Sequence, residues 1–316
     1  MRVFFYFLTL SLLLVSCNSK QGNRASKHSN QYITVLGVAQ DAGFPHINCN
    51  KDCCRAFYDG KESKKLIVSL GLVDIENNKK YIFDATPDFT QQTQILKSNH
   101  LDNGNVIDGV FLTHAHIGHY TGLMYLGFEA MGSKNIPVYV MPIMKRYLEN
   151  NGPWSQLVSI KNIELKSMYN DSTINLNKDL KITPFIVPHR DEYTETVGYK
   201  IQGKQKSALF IPDINKWNTW ERNIIDYIHE VDIAFLDATF FQDGEIKGRP
   251  MSEIPHPFVE ESMELFKSLS IEDKKKVYFI HFNHTNPLLI DGSQAQDLVI
   301  KNGFNISKQG AIIKIE

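Results

Sequence analysis

The chain has 316 residues, a formal net charge of −1, 42% hydrophobic and 22% charged residues. That balance excludes a chain that is disordered throughout, and it gives no electrostatic reason to expect nucleic acid or a polybasic membrane footprint. The length is ample for a sizeable core in one domain.

Met1-Arg2 supplies one positive charge, and Val3 to Val15 is apolar apart from Thr9 and Ser11. This run is shorter than the roughly 20 residues that span a bilayer as a helix, and it suits a secretory h-region. It ends in Leu14-Val15-Ser16-Cys17, which resembles the lipobox of bacterial lipoproteins. The resemblance implies that residues 1–16 are a cleaved signal peptide and that lipid on Cys17 anchors the chain to a membrane, with several acyl chains giving stable attachment. The expected location is the cell envelope, facing the periplasm. The absence of Asp after Cys17 points, by resemblance to lipoprotein sorting, to the outer membrane. Residues 17–30 are rich in Ser, Asn, Lys and Gly and read as a tether. Residues 31–316 follow without another linker and read as one domain.

Within that domain, apolar β-branched runs predict strands over 32–39, 66–75, 80–85 and 109–113, with Asn77-Asn78 as a hairpin turn. Helical spacing predicts a helix over 119–131, then a strand over 136–141 and a short helix over 145–151. Strands are expected over 180–187, 196–202 and 207–211, the last two joined at Gly203-Lys204. An amphipathic helix is expected over 217–231, a buried strand over 232–236, a helix over 257–269 and a strand over 276–282. The chain should close with a helix after Ser293 and a hairpin ending at Ile315. Strands first and mixed βα units later predict sheets layered together with helices outside.

The chemistry concentrates in Thr113-His114-Ala115-His116-Ile117-Gly118-His119, which follows the apolar Val110-Phe111-Leu112. Three imidazoles on one strand-to-helix turn can converge on a cation, and neutral imidazole suits zinc and iron. His189, Asp213 and His281 each end a later apolar run, where a sheet rim can hold them rigidly. A single such residue reads equally well as a helix cap or a satisfied buried group, whereas the set reads as a ligand sphere.

The order His-x-His-x-x-His, a later His, an Asp and a final His resembles the metallo-β-lactamase superfamily. That implies an α+β, four-layer αββα sandwich. It implies a first metal held by His114, His116 and His189, and a second held by His119 and His281, with Asp213 bridging. Leu36-Gly37, Gly43-Phe44-Pro45, Asn48-Cys49-Asn50, Thr86-Pro87-Asp88, Gln91-Gln92 and Thr285-Asn286-Pro287 are similar to the coenzyme PQQ synthesis protein B family over most of residues 31–316. The tRNA 3′-processing endonucleases and the cyclic phosphodiesterase of phosphonate breakdown are more distant likenesses. In those relatives a histidine follows an acidic-Ala-Thr segment, and here Asp237-Ala238-Thr239 precedes His256. One position departs: the superfamily usually has Asp directly before the third histidine, and this chain has Gly118. The second metal is thereby left short of a carboxylate, with His284 nearby as a replacement.

His256 and Asp191 are the candidates for proton transfer. Arg190 and Tyr193, next to Asp191, are candidates for touching substrate. Asp84 is expected to hold the histidine loop, and with Asp237 could also support a metal. Cys49, Cys53 and Cys54 read either as a structural zinc site, with His46 as a candidate fourth ligand, or as a disulfide from Cys49 with one free thiol. The leading functional reading is a hydrolase of an ester, lactone or phosphodiester, with a small-molecule substrate and one or two zinc ions, iron and manganese being the alternatives. A metal-dependent oxidative or biosynthetic role with iron, and a non-catalytic metal-binding lipoprotein, are the others. The oligomeric state is not legible.

Overall fold

A computed structural model describes residues 30–248 and 250–316, with Met251 described by its backbone alone. The stretches read as a signal peptide, a lipidated Cys17 and a tether lie, up to residue 29, outside the described residues. The first half comprises β1 (Gln31–Gly37), α1 (Asp52–Tyr58), β2 (Ser69–Asp74), β3 (Lys79–Phe83), α2 (Phe89–Ile95), β4 (Gly109–Phe111), α3 (Ile117–Tyr120), β5 (Ile136–Val140), α4 (Pro142–Asn150), α5 (Trp154–Ser159) and β6 (Ile163–Ser167). The second comprises β7 (Ile174–Asn175), β8 (Lys181–Ile186), β9 (Val197–Gln202), β10 (Ser207–Ile211), α6 (Ile224–His229), β11 (Ile233–Asp237), α7 (Val259–Leu265), α8 (Ile271–Lys274), β12 (Val277–Ile280), α9 (Gln294–Lys301), β13 (Asn305–Ile306) and β14 (Ile312–Lys314).

Two seven-stranded mixed sheets result, ordered β14-β1-β2-β3-β4-β5-β6 and β13-β12-β11-β10-β9-β8-β7. Alternation along the strands explains the layering. In β3, Tyr81 and Phe83 pack toward the second sheet, while Ile82 joins Phe89, Leu123 and Leu148 on the outer, helical side. Phe111 of β4 faces inward and stacks on Phe83 (ring centroids 5.1 Å) and Tyr139 (4.3 Å), with Val110 facing out. Strands buried on both faces read as continuous apolar runs, as 109–113 does. The architecture is the four-layer αββα sandwich.

Strand directions place the site. β1 and β2, and β2 and β3, pair antiparallel, and β3 and β4 pair parallel, so β1, β3 and β4 all end at one rim. In the second sheet β8, β10, β11 and β12 likewise run one way. A parallel bridge between Ala39 and Phe282 joins the two rims, so the ends of all seven strands meet in one cleft.

Three expectations change. The helix expected over 119–131 is only α3 followed by a 3-10 turn over Thr121–Leu126. His119 O accepts from Ala85 N (2.8 Å) and Gly122 N donates to Ala85 O (2.8 Å), so the β3–α2 loop holds this backbone. Gly122 permits that approach, because a Cβ there would lie 2.2 Å from Thr86 O. The helix over 217–231 is interrupted: Trp220 is extended and donates Nε1 to Ile186 O (3.1 Å), and Asn223 caps a fresh helix at Ile225 N. The closing strands form no hairpin. β13 extends the second sheet beside β12, and β14 pairs with β1 in the first.

Candidate metal centre

Six polar groups at this rim follow buried strands. Asp84 leaves β3, His114 leaves β4, His189 leaves β8, Asp213 leaves β10, Asp237 ends β11 and His281 leaves β12. Their side chains are buried, and the left-handed backbone at Asp84 (φ 67°) and His281 (φ 71°) turns those two sharply from their strands.

His114 Nε2 lies 2.9 Å from His116 Nδ1, and His189 Nε2 lies 3.2 Å from the same atom. Asp213 Oδ2 faces all of them, 3.2 Å from His189 Nε2 and 3.4 Å from His114 Nε2. Beside this group, His119 Nε2 is 2.9 Å from Asp41 Oδ1 and 3.9 Å from Asp213 Oδ2, while His281 Nε2 is 3.5 Å from Asp41 Oδ1. Two sets, His114-His116-His189-Asp213 and Asp41-His119-Asp213-His281, each bring their ligand atoms within 4.8 Å of one another and share Asp213.

Each of the five rings has one nitrogen facing the shared space and the other beside an outer group. His114 Nδ1 meets Thr113 Oγ1 (2.9 Å), His116 Nε2 meets Glu192 Oε2 (3.1 Å), and His189 Nδ1 meets Asn215 Oδ1 (3.3 Å). His119 Nδ1 meets Asp84 Oδ2 (2.7 Å), and His281 Nδ1 meets Thr239 Oγ1 (2.8 Å). Asp84 also accepts from Thr113 N (2.8 Å), so it braces the histidine turn as expected of a supporting carboxylate. This fixes tautomer and ring orientation, the arrangement found around metal-bound imidazoles. The fit to a cation is visible in what remains poorly satisfied: His281 Nε2 and Asp213 Oδ1 are buried and make no well-directed hydrogen bond, their polar contacts being Asp41 Oδ1 at 3.5 Å and His256 Nδ1 at 3.1 Å.

Electrostatics agree. Burial, and then His119, hold the His114 pKa well below its ordinary value, leaving a neutral ligand. Burial resists charge on His119, but Asp84 and Asp41 outweigh it and raise its pKa well above the usual range. Asp213 is held well below the ordinary carboxylate range, His189 and His256 overcoming the effect of burial.

His256 stands at the edge of the cluster. Its Nδ1 is 2.9 Å from Asp237 Oδ2 and 3.1 Å from Asp213 Oδ1, and against the effect of burial these carboxylates raise its pKa to about 10. With Gln40, Arg190, Phe240 and Glu253 it lines a cleft of about 190 Å³. A larger cavity of about 460 Å³, by Trp217, Arg222 and Leu265, contains none of the clustered groups.

Asp191 is not gathered in: it is exposed and accepts from Thr196 Oγ1 (2.9 Å), and the adjacent Glu192 meets His116 instead. His284 does not compensate at the second set. It lies with Cys49 and Cys53, its ligand atom and theirs within 4.8 Å, and its ring is 4.2 Å from that of His46. Cys54 lies beside these thiols and accepts from His46 N (3.4 Å), none of the three cysteines is in a disulfide, and the Cys49 and Cys53 Sγ atoms are 3.6 Å apart. The sequence reading missed Asp41, Glu192, Asn215, Thr239 and the pairing of His284 with the cysteines.

Residues 79–282 match the model of the Beta-lactamase superfamily domain, and the chain belongs to that superfamily. Over 310 residues it is 25% identical to coenzyme PQQ synthesis protein B of Gluconobacter oxydans, covering 90% of this chain and 98% of that one, and it is a homologue of that protein. The fold is shared with zinc-bound PqqB from Methylobacterium extorquens (TM-score 0.76, 20% identity, 90% of this chain and 99% of the other). It is also shared with a diphosphatase from the PhnP family (TM-score 0.61, 22% identity, 90% and 96%).

Proposed function

We propose that this chain is a zinc-dependent hydrolase of a small ester, lactone or phosphodiester, attached by lipid on Cys17 to the periplasmic face of the outer membrane. The observation that carries it is the set of five rings in two groups about Asp213, each ring with one nitrogen turned to its group's centre and the other held from outside. A divalent ion at such a point lowers the pKa of bound water toward about 7 and polarises an ester or phosphoryl oxygen. His114, His116 and His189 are the residues to hold the first ion, with Asp213 between it and a second. His256, its Nδ1 occupied by Asp237, uses Nε2 to exchange a proton with substrate in the cleft. Arg190, lining the same cleft, offers a cation to an anionic group.

Homology to coenzyme PQQ synthesis protein B supports a second reading, a biosynthetic role, and an oxidative form of it would use iron in place of zinc. Elemental analysis of full-length protein purified without added metal separates the two, together with turnover of a phosphodiester and lactone panel. Turnover with zinc or manganese bound, abolished in His116→Ala, supports the hydrolase. Iron without hydrolysis sinks it. Membrane fractionation tests the anchor: Cys17→Ala is expected in the soluble fraction, and retention of that variant on membranes removes the lipid from the proposal.

A further inference from the structure

The second set of ligands contains a carboxylate that the histidine turn itself does not supply. Gly118 directly precedes His119, and a Cβ built on it would lie 2.5 Å from both Asp41 Cα and Asp41 Oδ1, and 2.7 Å from Asp41 Cβ. The space in front of residue 118 is filled by an acidic side chain from a loop 77 residues earlier in the chain. From this we infer that Asp41 is the carboxylate ligand of a second divalent ion, held with His119, His281 and the bridging Asp213, and that Gly118 is the clearance this ligand requires. The inference rests on the metal-centre reading above and deepens it.

Asp41 is held firmly in place. Gln40 N donates to Phe282 O (2.8 Å) and Phe282 N donates to Val38 O (2.8 Å), so the loop is stapled to the residue after His281. Gly43 N closes a turn onto Gln40 O (2.7 Å). Asp41 Oδ1 thereby sits 2.9 Å from His119 Nε2 and 3.5 Å from His281 Nε2. Asp41 Oδ1 pairs with both rings, closely with His119 and only loosely with His281. At 3.5 Å the contact to His281 Nε2, a fully buried atom, falls short of a well-formed hydrogen bond. A cation between these atoms satisfies both rings and both carboxylates together. Two imidazole nitrogens with two carboxylate oxygens suit zinc, iron or manganese.

A side chain on residue 118 and the loop that carries Asp41 occupy overlapping space, backbone included, so with that loop in place the second ion takes its acidic ligand from residue 41. Asp41→Ala should lose that ion, and Gly118→Asp should not restore it, because the new Cβ meets the backbone of residue 41 whatever side chain stands there.

The test is a cobalt(II) titration of metal-stripped full-length protein in a Cys49→Ser/Cys53→Ser background, so that visible-band absorbance counts ions at the histidine cluster alone, with elemental analysis in parallel. The background protein is expected to take two ions, and Asp41→Ala and Asp41→Asn one. If Asp41→Ala fails to fold by circular dichroism, Asp41→Asn, which keeps the side-chain shape, answers the same question. Two ions bound with unchanged affinity in Asp41→Asn, or a single ion in the background protein, overturns the role of Asp41 and leaves the first metal standing. No cobalt in the cluster, and no difference on His116→Ala, removes the metal-centre reading itself.

Discussion

The histidine cluster and the cysteine loop both gather metal-competent atoms, but they are built differently. Each ring of the first is turned by a group from outside: Thr113 on its own turn, Asp84 after β3, Glu192 and Asn215 from loops of the second sheet, and Thr239 after β11. The charge states there are set by fixed carboxylates. In the loop around α1, the groups act mainly on one another. Burial and the neighbouring thiols push Cys53 up to about 12, while burial, His46 and Lys51 push His284 down to about 4. His46 Nδ1 meets only the adjacent Ile47 O (2.9 Å). Strand ends with outer braces predict a site formed before any ion arrives; a loop whose ligands brace each other predicts one that an ion would complete.

The strongest test of this contrast is His116→Ala, which removes the ring whose Nδ1 touches both His114 and His189. We expect loss of the first ion and at least about a thousand-fold loss of hydrolysis, measured as kcat/KM on the best substrate of the panel. Asp84→Asn comes next. It keeps shape but withdraws the charge that orients His119 Nδ1, and metal affinity should fall about 10–100-fold by competition with a chelating dye. An unchanged affinity would place the orientation of that ring in packing alone and weaken the contrast.

A pH dependence follows for the metal-stripped protein. His256 is raised to about 10 and His281 to about 9, in each case against burial, by Asp237 and Asp213 for the first and by Asp237 and Asp41 for the second. Unfolded histidine titrates near about 6.5, so the folded state binds extra protons between that value and about 9–10. The contribution is complete below about pH 6.5 and is lost as pH rises through the folded values. The urea midpoint of stripped protein should therefore fall from about pH 7 to about pH 10. Loaded protein, whose ligands are already deprotonated, should change less over that range. Equal slopes for both forms would break the link between these protons and the ion.

Much of the site was legible because the fold uses one grammar: an apolar run, then a polar residue at the rim. His114, His189, Asp213 and His281 obey it, and the strands that carry them were visible as buried β-branched segments. Asp41 obeys it too, after Val38-Ala39-Gln40, and the glycine at 118 was the signal that another carboxylate was needed. It escaped because β1 runs on through the bridge from Ala39 to Phe282, a long-range pairing that local pattern does not encode. The closing hairpin failed for a related reason. Asn305–Ile306 and Ile312–Lys314 each have strand character, but their partners lie in different sheets. His284 was assigned to the wrong set because sequence proximity to His281 outweighed the sharp turn at that residue, whose φ of 71° sends the following chain toward the cysteines.

The smallest expected effect belongs to the cysteine loop and tests the other half of the comparison. His284→Ala removes the one imidazole whose ligand atom lies with those of Cys49 and Cys53. If that loop is completed by an ion, the variant should lose one equivalent of zinc by elemental analysis. The melting temperature should drop by only about 2–4 °C, because the loop lies apart from the histidine cluster and about 1 kcal/mol at this chain size has that effect. The cobalt count at the histidine cluster should stay the same, since none of its five rings contacts His284. Retained zinc would show that the thiols suffice without His284. A simultaneous loss at the histidine cluster would show instead that the two regions form one cooperative metal unit through the Phe282 staple, and the division between a braced site and an ion-completed loop would have to be abandoned.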